Sequence, residues 1–346
     1  TWTTVGEGTQ VRVLAGSAGK LKETRKDFDE PHEALAYATQ QEWARLKKGQ
    51  VLAQPEAAPG QPSMLRYLGR GYTGAMPVAD LDGQLLCSWH DASDRLLVLN
   101  AQGQLIHQGE APTNTLIWQA TPHPPTQQVL LLADHAVWTC DPQLQAMQPL
   151  TQPNAQPASF LSVAGDQVAW YAQGQVEVHT LVPGGVGTRR LQLPVQPTLY
   201  SGHSMQMSGA LSAQGLLALC TQPGQIRFID VASGSEQAAW TGPFEMALKL
   251  RFTPDGRWLL IQEGHGKWAL LALDVQARSP RADLPTLNEL GQGDFALSPS
   301  GTQLAVSRRE QISVYDMATL QLRLQFAADH VVKRCALAWL GEHTLG

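Results

Sequence analysis

Three stretches of this 346-residue chain share one pattern in different letters. They are "LSAQGLLALCTQPGQIRFIDVASG" (Leu211 to Gly234), "FTPDGRWLLIQEGHGKWALLALDVQ" (Phe252 to Gln276) and "LSPSGTQLAVSRREQISVYDMATL" (Leu297 to Leu320). Each reads as a strand, a turn such as Pro254-Asp255-Gly256 or Pro299-Ser300-Gly301, and a second strand. A short hairpin follows, then a third strand ending near an aspartate: Asp230, Asp274 or Asp316. Weaker copies precede them in "GQLLCSWHDASDRLLVLNAQGQ", "QQVLLLADHAVWTCDPQ" and "DQVAWYAQGQVEVHTLV". With Asn100, Asp141, Thr180, Asp230, Asp274 and Asp316 as equivalents, subtraction of residue numbers gives spacings of 41, 39, 50, 44 and 42. Such a repeat constrains the fold more than any motif. One unit cannot bury its apolar face alone and must stack on its neighbours.

The period is that of a four-stranded propeller blade, about 40–45 residues. The middle strands, such as "WLLIQ" and "LLALC", are continuous apolar runs, as expected for strands covered on both faces. Outer strands such as "QLRLQF" (Gln321 to Phe326) alternate, as half-exposed edges do. A charged content of only 16%, with 31 Gly and 22 Pro, favours short strands and tight turns over long amphipathic helices. Eight of the ten tryptophans fall in the repeat region, where they can fill wedges between blades. The span from Ser63 to Gly346 accommodates about seven units of this period. Its last unit, "RCALAWLGEHTLG", supplies one strand and the start of another. "SMLRYLGRG" (Ser63 to Gly71) is the expected outer strand of that closing blade, because an open ring would leave two bare edges. On this period and turn-strand-Asp pattern the span resembles a seven-bladed, WD40-like β-propeller, although the Gly-His and Trp-Asp pairs of that family are missing from their usual places. The resemblance implies a rigid platform for protein partners.

Several function classes are disfavoured. A net charge of −5 argues against a whole-protein grip on DNA. No run of about 18 apolar residues is present, so no membrane span is expected, and no secretory leader is visible at Thr1 to Thr4. Cys87, Cys140, Cys220 and Cys335 are far apart within apolar runs and read as buried hydrophobes in a reducing compartment. A cytoplasmic protein of bacterial type is expected.

Polar groups that could converge near strand ends are His90-Asp91 with Asp94, Asp134-His135, His203, and Glu263 with His265. Aimed at a central channel, such groups could hold a metal and make the ring a hydrolase or lactonase. "HDASD" and "EGHGK" sit where turns must occur, however, and no two repeats carry the same ligand at the same register. His90, Asp91, Asp94, Glu263, His265, Arg308 and Arg309 are therefore read as loop contacts on a propeller face. Phosphate loops also fail. "LAGSAGKL" has Gly19-Lys20, but Leu21 and Leu14 stand where a Walker A needs a hydroxyl residue and a glycine. "PGGVGTRR" (Pro183 to Arg190) reads as a long hairpin turn. No GxSxG, HExxH or paired CxxC occurs. No catalytic residue, cofactor or metal is expected.

The first 52 residues differ from the rest. "TQVRVLAG" and "LKETRKDF" alternate as strands across the Gly16 to Gly19 turn. "DEPHEALAYATQQEWARLKKG" reads as a helix with Pro31 in its first turn and acids Asp29, Glu30 and Glu33 at its N-terminus. Ala34, Leu35, Ala38, Trp43 and Leu46 form its apolar face, and Lys47-Lys48-Gly49 its stop. "AQPEAAPGQP" (Ala53 to Pro62) reads as a Pro-rich linker. The order of strand, glycine turn, strand ending in Phe28, alanine-rich helix and Lys-Lys-Gly resembles the WGR domain, whose members bind DNA ends or partner domains in some cases. The naming triplet would fall at Arg12-Val13-Leu14, which has lost it. Arg12, Lys20, Lys22, Arg25 and Lys26 are the candidate nucleic-acid or partner contacts. Glu23, Asp27, Asp29 and Glu30 lie among them and favour a solvated hairpin over a nucleic-acid arm.

The expected organisation is thus a WGR-like module (1–52), a linker (53–62) and a mainly-β propeller (63–346). The expected function is a non-enzymatic adaptor for protein partners, with nucleic-acid association through the small module as the alternative.

Overall fold

A computed structural model describes residues 2–17, 19–54, 56–68, 78–89, 95–111, 116–133, 136–152, 158–196, 199–200, 203–204, 207–264, 269–281, 293–308, 311–327 and 336–346. The chain divides into two compact units, 1–69 with 102–104, and 70–101 with 105–346.

The first unit opens with a three-stranded antiparallel meander: β1 (Trp2–Glu7), β2 (Gln10–Ser17) and β3 (Lys20–Asp27). The sequence reading anticipated β2 and β3 but not β1, whose "WTTVGE" alternates less clearly. Helix α1 (Pro31–Leu46) follows, with Pro31 in its first turn, where a missing N–H costs nothing. Val11, Val13 and Ala34 form a small core against Phe28, Tyr37 and Ala38. Leu35, expected on the apolar face, is 69% exposed. It lies about 100° around the helix from Ala34, which turns it off the stripe that meets Val11 and Val13. The Ala53 to Pro62 stretch joins β4 (Val51–Ala53) to β5 (Met64–Arg66), which pair antiparallel. Gln54 N–H donates to the Ser63 carbonyl at 2.7 Å and prolongs this ribbon, so the stretch is a hydrogen-bonded loop instead of a free linker. The strand expected to close the last blade therefore has its partner here, at Val51–Ala53.

Among the described residues, the second unit contains six successive four-stranded antiparallel meanders, at 78–110, 117–149, 161–194, 208–241, 247–280 and 295–327, here called the first to sixth sheets. A terminal hairpin pairs Trp339–Leu340 with Thr344–Leu345. Second strands such as Gln128–Ala133 and Trp258–Glu263 are buried almost throughout, as their unbroken apolar runs require. The last strand of the sixth sheet, Leu322–Ala327, alternates between exposed and half-buried. The glycine-rich Pro183 to Arg190 stretch contains a tighter turn than expected. Only Pro183-Gly184 turns, with Gly184 at φ +81°, and Gly185–Pro194 is already strand.

Neighbouring sheets interlock through their first strands. Leu81, Val98, Ile117 and Val129 share one cluster across the first and second sheets. Gln119 Nε2 donates to the Leu161 carbonyl (2.7 Å), Ser162 Oγ accepts from Leu211 N–H (2.9 Å), and Ser208 Oγ donates to the Ala247 carbonyl (2.8 Å). Lys249 Nζ donates to Asp294 Oδ1 (2.7 Å) and the Phe295 carbonyl (2.8 Å), joining the fifth and sixth sheets. Trp339 Nε1 donates to the Ala296 carbonyl (3.2 Å), and Gly341 N–H to Asp80 Oδ2 (3.1 Å). The terminal hairpin thus touches both the sixth sheet and the first.

Candidate functional site

The aspartates that mark the repeat act locally. Asp230 Oδ1 accepts from Ser233 N–H (2.8 Å) and Ser233 Oγ (2.7 Å), and Asp274 Oδ1 from Gln276 N–H (3.0 Å) and Ala277 N–H (2.8 Å). Asp316 Oδ1 accepts from Thr319 N–H (2.9 Å) and Thr319 Oγ1 (3.0 Å), while Arg323 pairs with its other oxygen. Each is an Asx turn folding the hairpin between third and fourth strands. The Thr319 amide and hydroxyl, with Arg323, hold Asp316 down at a pKa of about 2. Hydrogen bonds from Ser233 likewise lower Asp230.

The turns between first and second strands repeat a second device. Ser212, Thr253 and Ser298 each accept, through the backbone carbonyl, the N–H of the glycine three residues on: Gly215, Gly256 and Gly301. Those glycines have φ of +78°, +71° and +72°, which a Cβ would resist. Backbone bonds from Val231 to Gly215, Val275 to Arg257 and Met317 to Thr302 tie the two kinds of turn together. They therefore lie at the same end of their sheets.

At this end, a cavity of about 580 Å³ opens between the fourth and fifth sheets. Gln214, Leu216, Asp255, Arg257, Asp274 and Arg278 are among its walls. Gln214 Nε2 bridges the two sheets by donating to the Asp255 carbonyl at 3.2 Å. The Arg278 guanidinium stacks 3.6 Å from the Phe228 ring centroid and donates through Nη2 to Gln237 Oε1 at 2.8 Å. Burial lowers its pKa from the ordinary arginine value. Arg257 is 3.8 Å from Asp274 Oδ2 and stacks 5.0 Å from Trp258, whose ring also lies 5.2 Å from Arg281. The cavity's charge is balanced, with Asp255 and Asp274 set against Arg257 and Arg278.

Of the residues expected on loops, Glu263 is 3% exposed. Its Oε1 accepts from Glu245 N–H (3.1 Å) and its Oε2 from Ala269 N–H (3.2 Å), so it ties both backbone positions to the end of its strand. Arg308 ends the second strand of the sixth sheet, paired with Gln311. His90, Asp91, Asp94, His265 and Arg309 lie outside the described residues, as do Asp134 and His135. Among the described residues, no three His, Cys, Asp or Glu side chains gather as metal ligands would. Burial pushes the Cys140 thiol up to about 12 and the Cys220 thiol up to about 11, which keeps both protonated.

The basic residues of the first unit separate into two sets. Register pairs Val11 with Lys26, Val13 with Thr24 and Ala15 with Lys22. Alternation therefore puts Lys20, Lys22 and Lys26 on the face of β3 shared with the helix, and Arg12 and Arg25 on the opposite face. Arg12 pairs with Glu7 at 3.0 Å and Arg25 with Glu23, whose hydrogen bond raises the Arg25 pKa. Lys26 Nζ lies 4.5 Å from the Tyr37 ring centroid and 4.9 Å from that of Phe28. All eight residues of β3 are exposed, and it is an edge of its sheet.

The architecture has clear counterparts among solved structures. A chain of a mitotic checkpoint complex superposes with a TM-score of 0.58 at 12% identity, covering 84% of each chain. The β-propeller domain of Cps50 (Swd1) from Myceliophteria thermophila superposes with a TM-score of 0.55 at 13% identity, covering 77% of this chain and 90% of that one. The fold is that of a β-propeller. No family model matches the sequence, and no curated protein matches it by sequence. No helix among the described residues is long and apolar enough to cross a membrane.

The cavity residues were missed at the sequence level, although a signal for them existed. Asp230 is followed four residues later by Gly234, whereas Asp274 is followed by Arg278 at the equivalent place. Aligning the repeats would have marked this position, which is glycine in one copy and arginine in the next.

Proposed function

We propose that this chain is a non-enzymatic scaffold whose second unit is a seven-bladed, WD40-like propeller presenting its turns to protein partners. The observation that carries this reading is the division of labour in the fourth, fifth and sixth sheets. Fully buried strands make a rigid frame, and turns braced by Asx and glycine devices present polar side chains at one end. Six four-stranded sheets, with a terminal hairpin that bonds to both the sixth sheet and the first, support a count of seven blades. Both fold counterparts are consistent with such a role, one being named for a complex and the other for its propeller domain. In this reading the protein is a bacterial cytoplasmic adaptor, and its first unit is a WGR-like docking module. The order β1-β2-β3-α1 and the Phe28–Tyr37 packing support that assignment.

The test is affinity purification of the full chain from its native host, beside a form lacking residues 1–69. Specific, stoichiometric partners retained by the shorter form support docking on the propeller, and partners lost with the first unit assign docking to that unit. Recovery of no partner with either form contradicts the scaffold reading.

A second reading rests on the lysines of β3. Lys20, Lys22 and Lys26 stand on one face of an exposed edge strand, positioned to meet phosphates. It predicts salt-dependent binding of the chain to DNA or RNA that the triple substitution Lys20, Lys22 and Lys26 to Glu abolishes. No binding at low salt ends it.

A further inference from the structure

Arg278 occupies a conformation that arginine seldom adopts. Its φ is +52°, in the left-handed region, where the equivalent residue of the fourth sheet is Gly234 at φ +70°. Holding a side chain with a Cβ there costs about 1–2 kcal/mol. The sixth sheet also has a side chain at this position, Leu320 at φ +55°, but Leu320 packs into the apolar core between the fifth and sixth sheets. Arg278 instead lines the cavity between the fourth and fifth sheets. Strain kept at a concave surface points to a use for the side chain.

The guanidinium is only partly satisfied. Nη2 reaches Gln237 and the plane rests on Phe228, but Nη1 is buried and, among the described residues, has no hydrogen-bond acceptor. A buried donor left without an acceptor is costly, more so when it belongs to a charged group. The cationic neighbour is loosely held. Arg257 stands 3.8 Å from Asp274 with 65% of its side chain exposed. Leu216 and Val275 give the cavity partly buried apolar walls, and Gln276 an exposed amide on the rim. Among the described residues Arg278 Nη1 lacks an acceptor, in a cavity that Arg257 and a small apolar surface also line.

We propose that the cavity between the fourth and fifth sheets is a binding site for an acidic peptide segment of a partner protein, whose Asp or Glu carboxylate is received by Arg278 and Arg257. A carboxylate offers two in-plane oxygens to a guanidinium fork. Asp255 and Asp274 in the same cavity repel a phosphate dianion more than a single carboxylate charge, which favours a peptide acid over a phosphate group. The size suits a few residues of chain, since pockets that bury a small ligand run to roughly 300–1,000 Å³. The inference rests on the scaffold reading and names the chemistry of one partner contact.

The test uses a displayed library of random heptapeptides against the full chain. Selected peptides are resynthesised with each Asp or Glu replaced by its amide, and fluorescence anisotropy measures both forms. The expected result is enrichment of acidic peptides that bind at least about ten-fold more tightly than their amide forms. Arg278→Gln and Arg257→Gln should each remove most of that preference while circular dichroism stays that of the wild type. Arg278→Gly provides a second variant, because glycine adopts φ +52° freely and so cannot lose binding through backbone strain. Peptides without acidic enrichment, preference retained in all three variants, or equal displacement by millimolar inorganic phosphate would each overturn the proposal. If partners are captured from the host equally well by wild type and Arg278→Gln, the cavity is not the contact and the scaffold reading stands. If wild type captures none, the scaffold reading itself falls.

Discussion

The two units use the same material in opposite ways. In the first, β3 has no buried residue, and the buried apolar side chains described are Val11, Val13, Ala34 and Leu46, with a few half-buried partners. In the second, Gln128–Ala133 is buried throughout, as are the strand interiors from Leu217 to Thr221 and from Leu259 to Glu263. A strand gains stability in proportion to the apolar area it removes from water, and a middle strand of a stacked sheet does so on both faces. The first unit therefore carries its information on the surface as charge, while the second carries it inside as packing and outside as turns.

The largest effect should come from the second unit's interior. Leu260 is fully buried between the fifth and sixth sheets, so Leu260→Ala should cost about 2–5 kcal/mol, read from urea unfolding followed by hydrogen exchange over 247–308. Val11→Ala removes less from a smaller core and should cost about 2 kcal/mol, with lost protection confined to 2–46. If either change spreads equally through both units, the contrast between them is wrong.

Turns come next. Gly301 has φ +72°, and a Cβ there would lie 2.5 Å from Pro254 Cδ in the adjacent sheet's turn. Gly301→Ala should cost about 1–2 kcal/mol from the left-handed backbone alone, visible as a lower urea midpoint. Gly19→Ala in the first unit, with open space around it at φ +80°, should show the backbone cost without the clash.

The smallest effect is read by pH in a turn of the second unit. Asp316 has a folded pKa of about 2, below its usual 3.8. A depressed carboxylate stabilises the folded state above its unfolded pKa, and that contribution fades as pH falls from near 4 through 2. The melting difference between wild type and Asp316→Asn should be full at pH 6 and shrink towards pH 2. A constant difference across that range would show that the Asx turn does not depend on ionisation.

The repeat, the buried middle strands, the alternating outer edge and the extent of α1 were legible because each depends on residues close in sequence. The turn aspartates were visible as markers, although their role needed backbone geometry. Three features were hidden for physical reasons. The β4–β5 ribbon was masked because three prolines in its loop look like a linker whether or not the flanks pair. The sorting of Lys20, Lys22 and Lys26 from Arg12 and Arg25 required the strand register. The cavity needed two sheets brought together from residues 212 to 278, a juxtaposition that no local pattern encodes.

Cross-linking mass spectrometry of the full chain in its native host tests the central claim most directly. The scaffold account predicts cross-links from a specific partner to the turn-bearing end of the second unit, around 212–216, 253–257 and 274–278. Reproducible cross-links confined to the outer strands, or no specific partner at all, would contradict it.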